Sequence, residues 1–129
     1  MTAVILVCDD DEVHRDLIRA TLEPHGHLIH EIDDGAALVA AVEAVRPELV
    51  ILDLRMRTGG LDVLRELRAD PELAHTPVLV LSGATFRADR SASYEAGADD
   101  VLAKPFSPKK LAATVADVLA QASPIPATR

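Results

Sequence analysis

Residues 49–60 read LVILDLRMRTGG, and the change of character inside this stretch decides how the chain is read. Leu49 to Leu52 form an unbroken apolar run that passes straight into Asp53, followed by Arg55, Arg57 and a glycine pair. A run of this kind reads as a strand buried on both faces. A carboxylate at its end is costly unless something pairs with it. Asp53 therefore calls for partners.

Outward from this strand, four more β-type runs recur at even spacing: VILVC from Val4, LIHEI from Leu28, VLVLS from Val78 and DVLA from Asp100. Segments with helical periodicity lie between them. Val13, Leu17, Ile18, Thr21 and Leu22 mark one apolar stripe, and AALVAAVEAV from Ala36 is rich in helix formers. Leu61, Leu64 and Leu67 mark another stripe, Phe86 to Ala96 is weakly amphipathic, and Leu111, Val115, Val118, Leu119 and Ala122 close the series. Glycines and prolines punctuate the units, from Pro24 and Gly26 to Pro105 and Pro108. Strict β-α alternation implies an α/β protein with a parallel sheet and helices on both faces.

The bulk properties bound the function. At 129 residues the chain is read as one domain, over residues 1–122, with a Pro-rich tail or linker start at 123–129. The formal net charge is −8, which argues against nucleic-acid binding by this domain and against a membrane surface. No apolar run approaches a membrane span, and Met1 is not followed by a signal peptide. Cys8 is the only cysteine, so a cytoplasmic setting is expected, with Cys8 as a buried core residue.

In open α/β sheets, ligands bind beyond the carboxyl ends of the strands. The first strand here ends in Asp9, Asp10 and Asp11, the third in Asp53, the fourth in Ser82, and the fifth is followed by Lys104-Pro105. Gathered carboxylates repel one another, and a hard divalent cation relieves that repulsion. Asp10 and Asp53 offer ligands, and a backbone carbonyl just past Asp53 offers another. With Lys104 and the Ser82 hydroxyl to meet phosphate oxygens, the set suits phosphoryl transfer, with Asp53 as the nucleophile. Singly, each element has a plainer reading: DDDE as a helix start with Asp11 as N-cap, Lys104 as a surface lysine, Ser82 as a strand-end hydroxyl. Together, each at its own strand end, they read as a site.

The motifs ILVCDDDE from Ile5, PELVILDLRM from Pro47, PVLVLSG from Pro77 and GADDVLAKPF from Gly97 resemble the receiver domain of two-component response regulators, along residues 4–122. The resemblance implies a flavodoxin-like (βα)5 fold with sheet order 2-1-3-4-5. It also implies a phosphorelay switch in which Asp53 accepts phosphate from a sensor histidine kinase or phosphotransfer protein. By motif position, Asp10 ligates Mg²⁺ (or Mn²⁺) directly, Asp9 acts through water and Arg55 lends its backbone carbonyl. Ser82 is then the switch hydroxyl and Lys104 the phosphate-pairing lysine, with a cis bond expected before Pro105. A downstream protein or output domain, and homodimerisation on phosphorylation, are the family's further expectations, with no enzymatic turnover beyond self-catalysed phosphoryl acceptance and slow autodephosphorylation.

Three positions depart from the family pattern. Arg57 stands where proline is usual, and the RTGG loop is about one residue short. Gly83 replaces the alanine after the switch hydroxyl. Val101 replaces an aromatic residue that moves inward on activation. In the family, the side chains at Arg55 and Ala84 influence dephosphorylation, whereas the plainer reading of Arg55 and Arg57 is solvated loop charge. His25, His27 and His30 read as surface residues rather than ligands, and His14 as an exposed helix position near the acids.

The rivals are an inert pseudo-receiver acting as an interaction module, an aspartyl-phosphate phosphohydrolase and a flavin-binding module. The hydrolase would want an acid where Arg55 stands. The flavin module would want a glycine- and hydroxyl-rich loop where DDDE stands.

Overall fold

The computed structural model describes residues 2–83 and 86–122. Strands β1 (Val4–Cys8), β2 (Leu28–Ile32), β3 (Leu49–Asp53), β4 (Val78–Ser82) and β5 (Asp100–Ala103) coincide with the five apolar runs. All neighbours pair in parallel, in the order β2-β1-β3-β4-β5. The helices are α1 (Glu12–Leu22), α2 (Leu38–Val45), α3 (Gly60–Ala69), α4 (Phe86–Ala96) and α5 (Pro108–Ala122). Short 3₁₀ turns follow α1 at Glu23–His25 and precede α2 at Gly35–Ala37.

Alternation along the strands sorts the core into two layers. Ile5, Val7, Leu49, Ile51, Leu79, Leu81 and Leu102 pack with Ile18 and Leu22 of α1 and with Leu111, Val115 and Val118 of α5. Leu6, Cys8, Val50, Leu52, Val78, Val80 and Val101 face Leu38 and Val42 of α2, Leu64 and Leu67 of α3, and Ala96 of α4. β3 sits between β1 and β4 and is buried throughout, as its apolar run requires. The flavodoxin-like architecture and strand order expected from the sequence are those observed.

The α1 stripe differs from the sequence reading. Ile18 and Leu22 are fully buried, but Val13 is 76% and Leu17 48% exposed. Leu17 lies in an open groove between α1 and α5, lined also by Ala20, Pro108, Ala112 and Ala116. The small α5 side chains leave that groove uncovered. Ala122 at the end of the α5 stripe is likewise exposed.

Polar ties fasten the helices to the sheet. Arg68 at the end of α3 donates to the carbonyls of Gly97, Ala74 and Thr76 and to the Asp99 carboxylate, drawing two loops together. On the other face, Glu31 of β2 receives Arg15 Nε at 2.9 Å and Arg19 Nε at 2.6 Å, both from α1. Cys8 is buried and its Sγ lies 3.4 Å from Met56 Sδ, as a core residue should. Burial and the nearby carboxylates of Asp9, Asp34, Asp53 and Asp10 push its thiol up to about 12. The tail at 123–129 and Ala84 lie outside the described residues.

Candidate functional site

The two-layer alternation also decides which strand-end groups meet. Asp9, Asp53 and Lys104 share the parity of Val7, Ile51 and Leu102, so their side chains turn to the α1/α5 side. Their partners follow from that placement. Lys104 Nζ donates to Asp53 Oδ2 at 2.6 Å, and the Arg55 amide donates to Asp53 Oδ1 at 2.8 Å. Asp9 Oδ1 accepts the Asp11 amide at 2.9 Å. Asp9 and Asp53 are 1% and 4% exposed. Residues Asp9, Asp10, Asp11, His14, Asp53, Arg55 and Lys104 line a pocket of about 320 Å³.

His14 completes this set, contrary to the exposed position expected from the sequence. Asp11 caps α1, its Oδ1 accepting the amides of Val13 and His14. That cap sets the first helical turn over the end of β1, and side chains in a helix lean toward its N-terminus. The His14 ring therefore points back into the pocket. Its Nδ1 bonds Asp9 Oδ2 and lies 3.6 Å from Asp53 Oδ2, while Phe106 packs against the ring at 5.9 Å between centroids. Hydrogen bonding to Asp53 and Asp9 raises the His14 pKa to about 9, against burial and the Lys104 charge. Burial pushes the Asp53 carboxyl up, but the His14 and Lys104 hydrogen bonds and the Arg55 amide outweigh it and hold the group well below the usual carboxylate range. Asp53 is thus ionised, its charge met from two sides. The signal for His14 was its place in the first turn of a helix starting at the acids.

Ser82 is the strand-end residue that does not join. It shares the parity of Val80, on the α4 side, where its buried Oγ donates to Asp89 Oδ2 of α4 at 2.8 Å. Asp10 is exposed at the pocket rim, and Asp9 rather than Asp10 reaches toward Asp53. One donor atom each from Asp9, His14 and Asp53 lies within 4.8 Å of the others, the one such cluster among the described residues. His25, His27 and His30 belong to no such cluster, and His27 Nδ1 accepts the Ala3 amide at 3.1 Å. The acidic oxygens fit a divalent cation by donor chemistry.

The loop after Asp53 closes within the short RTGG because each glycine has a different task. Gly59 takes a left-handed φ of 73° before α3 begins. At Gly60 a Cβ would sit 3.0 Å from Leu54 Cα and 3.2 Å from the Asp53 carbonyl oxygen. The chain thus turns back against the end of β3. The Lys104-Pro105 bond is cis, as expected.

A parallel sheet of this order, with paired acids and a lysine converging on a central-strand aspartate, defines a CheY-like receiver architecture of the flavodoxin-like fold. The response regulator receiver domain family matches residues 5–116, and the chain belongs to that family. It is 37% identical over 125 residues to the response regulator MprA of Mycobacterium sp. (strain KMS), covering 96% of this chain and 54% of MprA. It is 40% identical over 112 residues to the DNA-binding response regulator MtrA of Mycobacterium leprae, covering 86% of this chain and 48% of MtrA. The chain spans about half the length of these curated relatives. Among solved structures, NtrX from Brucella abortus superposes with a TM-score of 0.86 at 30% identity, over 95% of this chain and 28% of NtrX. The chemotaxis regulator CheY4 of Vibrio cholerae gives a TM-score of 0.84 at 27% identity, over 92% of this chain and 99% of CheY4. The chain is therefore a receiver domain of the two-component type, a signalling module. No helix among the described residues is long and apolar enough to cross a membrane.

Proposed function

We propose that this domain is a phosphorylation-dependent switch in which Asp53 accepts a phosphoryl group from a sensor histidine kinase or phosphotransfer protein. The observation that carries the proposal is the placement of Asp53: nearly inaccessible, ionised, and bonded to Lys104 in the lining of an acidic pocket. In the transfer, an Asp53 oxygen bonds to phosphorus as the donor's P–N bond breaks. The electron pair leaves with the imidazole, which takes up a proton. Asp9, Asp10, Asp53 and the Arg55 carbonyl would hold Mg²⁺ or Mn²⁺, which would supply charge neutralisation for the phosphoryl oxygens. Lys104 exchanges its carboxylate partner for a phosphate oxygen.

Ser82 supports the switch through its bond to Asp89. Turning the hydroxyl toward an Asp53 phosphoryl group removes a tie between β4 and α4, which biases the face formed by α4, β5 and α5. That face then engages a downstream protein, an output domain or a second copy of the domain. Val101 lacks the ring that would follow Ser82 inward, so the α4 tie is the route by which the signal leaves. Residues 1–122 constitute the switch, with 123–129 as a Pro-rich tail or the start of a linker, and its setting is the cytoplasm.

Intact mass after incubation with acetyl phosphate and Mg²⁺ tests this reading. One added phosphoryl group is expected on the wild type, and none on Asp53→Ala or in the presence of chelator. A wild-type protein left unmodified by both acetyl phosphate and a phosphorylated histidine donor would overturn it.

A further inference from the structure

We propose that His14 is a nitrogen ligand of the pocket's cation site, so that the site takes a borderline first-row transition ion, such as Co²⁺, in preference to Mg²⁺. This inference rests on the reading of the acidic pocket as a cation site and adds a donor to it.

The geometry comes from three elements. Asp9 ends β1, Asp53 ends β3, and His14 lies in the first turn of α1. Oxygen Oδ2 of each aspartate faces the same atom, His14 Nδ1. The side chains of Asp9 and Asp53 are 1% and 5% exposed and that of His14 17%, so the three donors are largely withdrawn from solvent. The ring is held rather than free, with Phe106 against it and the Asp11 cap fixing the turn below. Facing Nδ1 are the two carboxylates and, beyond Asp53, the Lys104 ammonium.

A site of oxygens alone suits Mg²⁺, which demands octahedral oxygen ligation and keeps most of its water. Imidazole, once its Nδ1 has released to solvent the proton it shares with Asp9, shifts the preference toward later first-row ions, along the order Mn²⁺ < Fe²⁺ < Co²⁺ < Ni²⁺. An oxygen, oxygen, nitrogen set within 4.8 Å therefore distinguishes this pocket from an all-carboxylate one.

The test compares wild type, His14→Gln and His14→Leu, with folding verified by circular dichroism. Mg²⁺ and Co²⁺ are titrated by calorimetry, and the Mn²⁺ complex is examined by pulsed EPR for nitrogen modulation. The expected result is nitrogen coupling in the wild-type Mn²⁺ complex that disappears in both variants. Co²⁺ affinity falls at least about ten-fold on losing the imidazole, while Mg²⁺ affinity does not fall. Mn²⁺ binding without nitrogen coupling, or variants that bind Co²⁺ as well as the wild type does, would overturn the proposal and leave the cation site standing. Failure of the wild type to bind any of the three ions would overturn both.

Discussion

Lys104 Nζ lies 2.6 Å from Asp53 Oδ2, joining residues 51 apart in sequence across β3, β4 and β5. The pair is the tightest electrostatic contact between strand ends in the molecule's pocket, and it has a cost on each side when broken. A buried carboxylate that loses its partner keeps the desolvation penalty without the compensating bond. His14 and the Arg55 amide remain to share that charge, which limits the damage.

Lys104→Met is therefore expected to destabilise the cation-free protein by about 1–3 kcal/mol at neutral pH. In an Asp53→Asn background the same change should cost much less, because no charge is left stranded. Urea denaturation of the four proteins of this double-mutant cycle measures the coupling directly. Equal losses in both backgrounds would show that Lys104 acts through packing alone.

The Ser82–Asp89 hydrogen bond competes with the orientation that a phosphoryl group on Asp53 would demand. Asp89→Ala removes the competing acceptor, worth about 1 kcal/mol. The acetyl-phosphate-labelled fraction at steady state should rise up to about five-fold, with a longer acyl-phosphate lifetime. Mass spectrometry over time reads both quantities. In the Ser82→Ala protein the Asp89 change should have no such effect, and an effect of the same size there would exclude the hydroxyl as the mediator.

Glu31 sets a pH dependence remote from the pocket. Burial pushes its carboxyl up, but hydrogen bonds from Arg19 and Arg15 outweigh this, so its pKa lies below the ordinary 4.5. A depressed folded-state pKa means that this contribution is complete above the unfolded value and is lost as pH falls through the folded one. Glu31→Gln should cost on the order of 1–2 kcal/mol at neutral pH. It should also flatten the acid limb of the stability curve below about pH 5. Denaturation midpoints across that range check the slope, and parallel curves would assign the acid loss to other carboxylates.

β1, β3 and β4 were readable because parallel strands buried on both faces are continuous apolar runs, whereas the edge strands LIHEI and DVLA are interrupted by His30, Glu31 and Asp100; each β-type run nonetheless coincides with its strand. Asp53 stood out for the same reason: a charge breaking such a run is costly unless paired. The α1 stripe was only half right. Periodicity places Val13 and Leu17 on an apolar side of the helix, but both are exposed, and for Leu17 burial needed bulk on α5, where Ala112 and Ala116 offer little. Gly59 and Gly60 were visible as an anomaly in loop length, yet the close approach to Leu54 that demands Gly60 exists only in the folded chain.

Sequence by itself determined the strand spans, the parallel α/β class, the acids at the ends of β1 and β3, and the lysine after β5. These follow from local composition and alternation, which act within a few residues. Tertiary structure alone decided that His14 shares the pocket and that Ser82 is turned to Asp89 on the opposite layer. Both outcomes depend on the side of the sheet to which each strand's last residue points and on the helix end that covers it. Such placement is a product of packing between elements, and no single element encodes it.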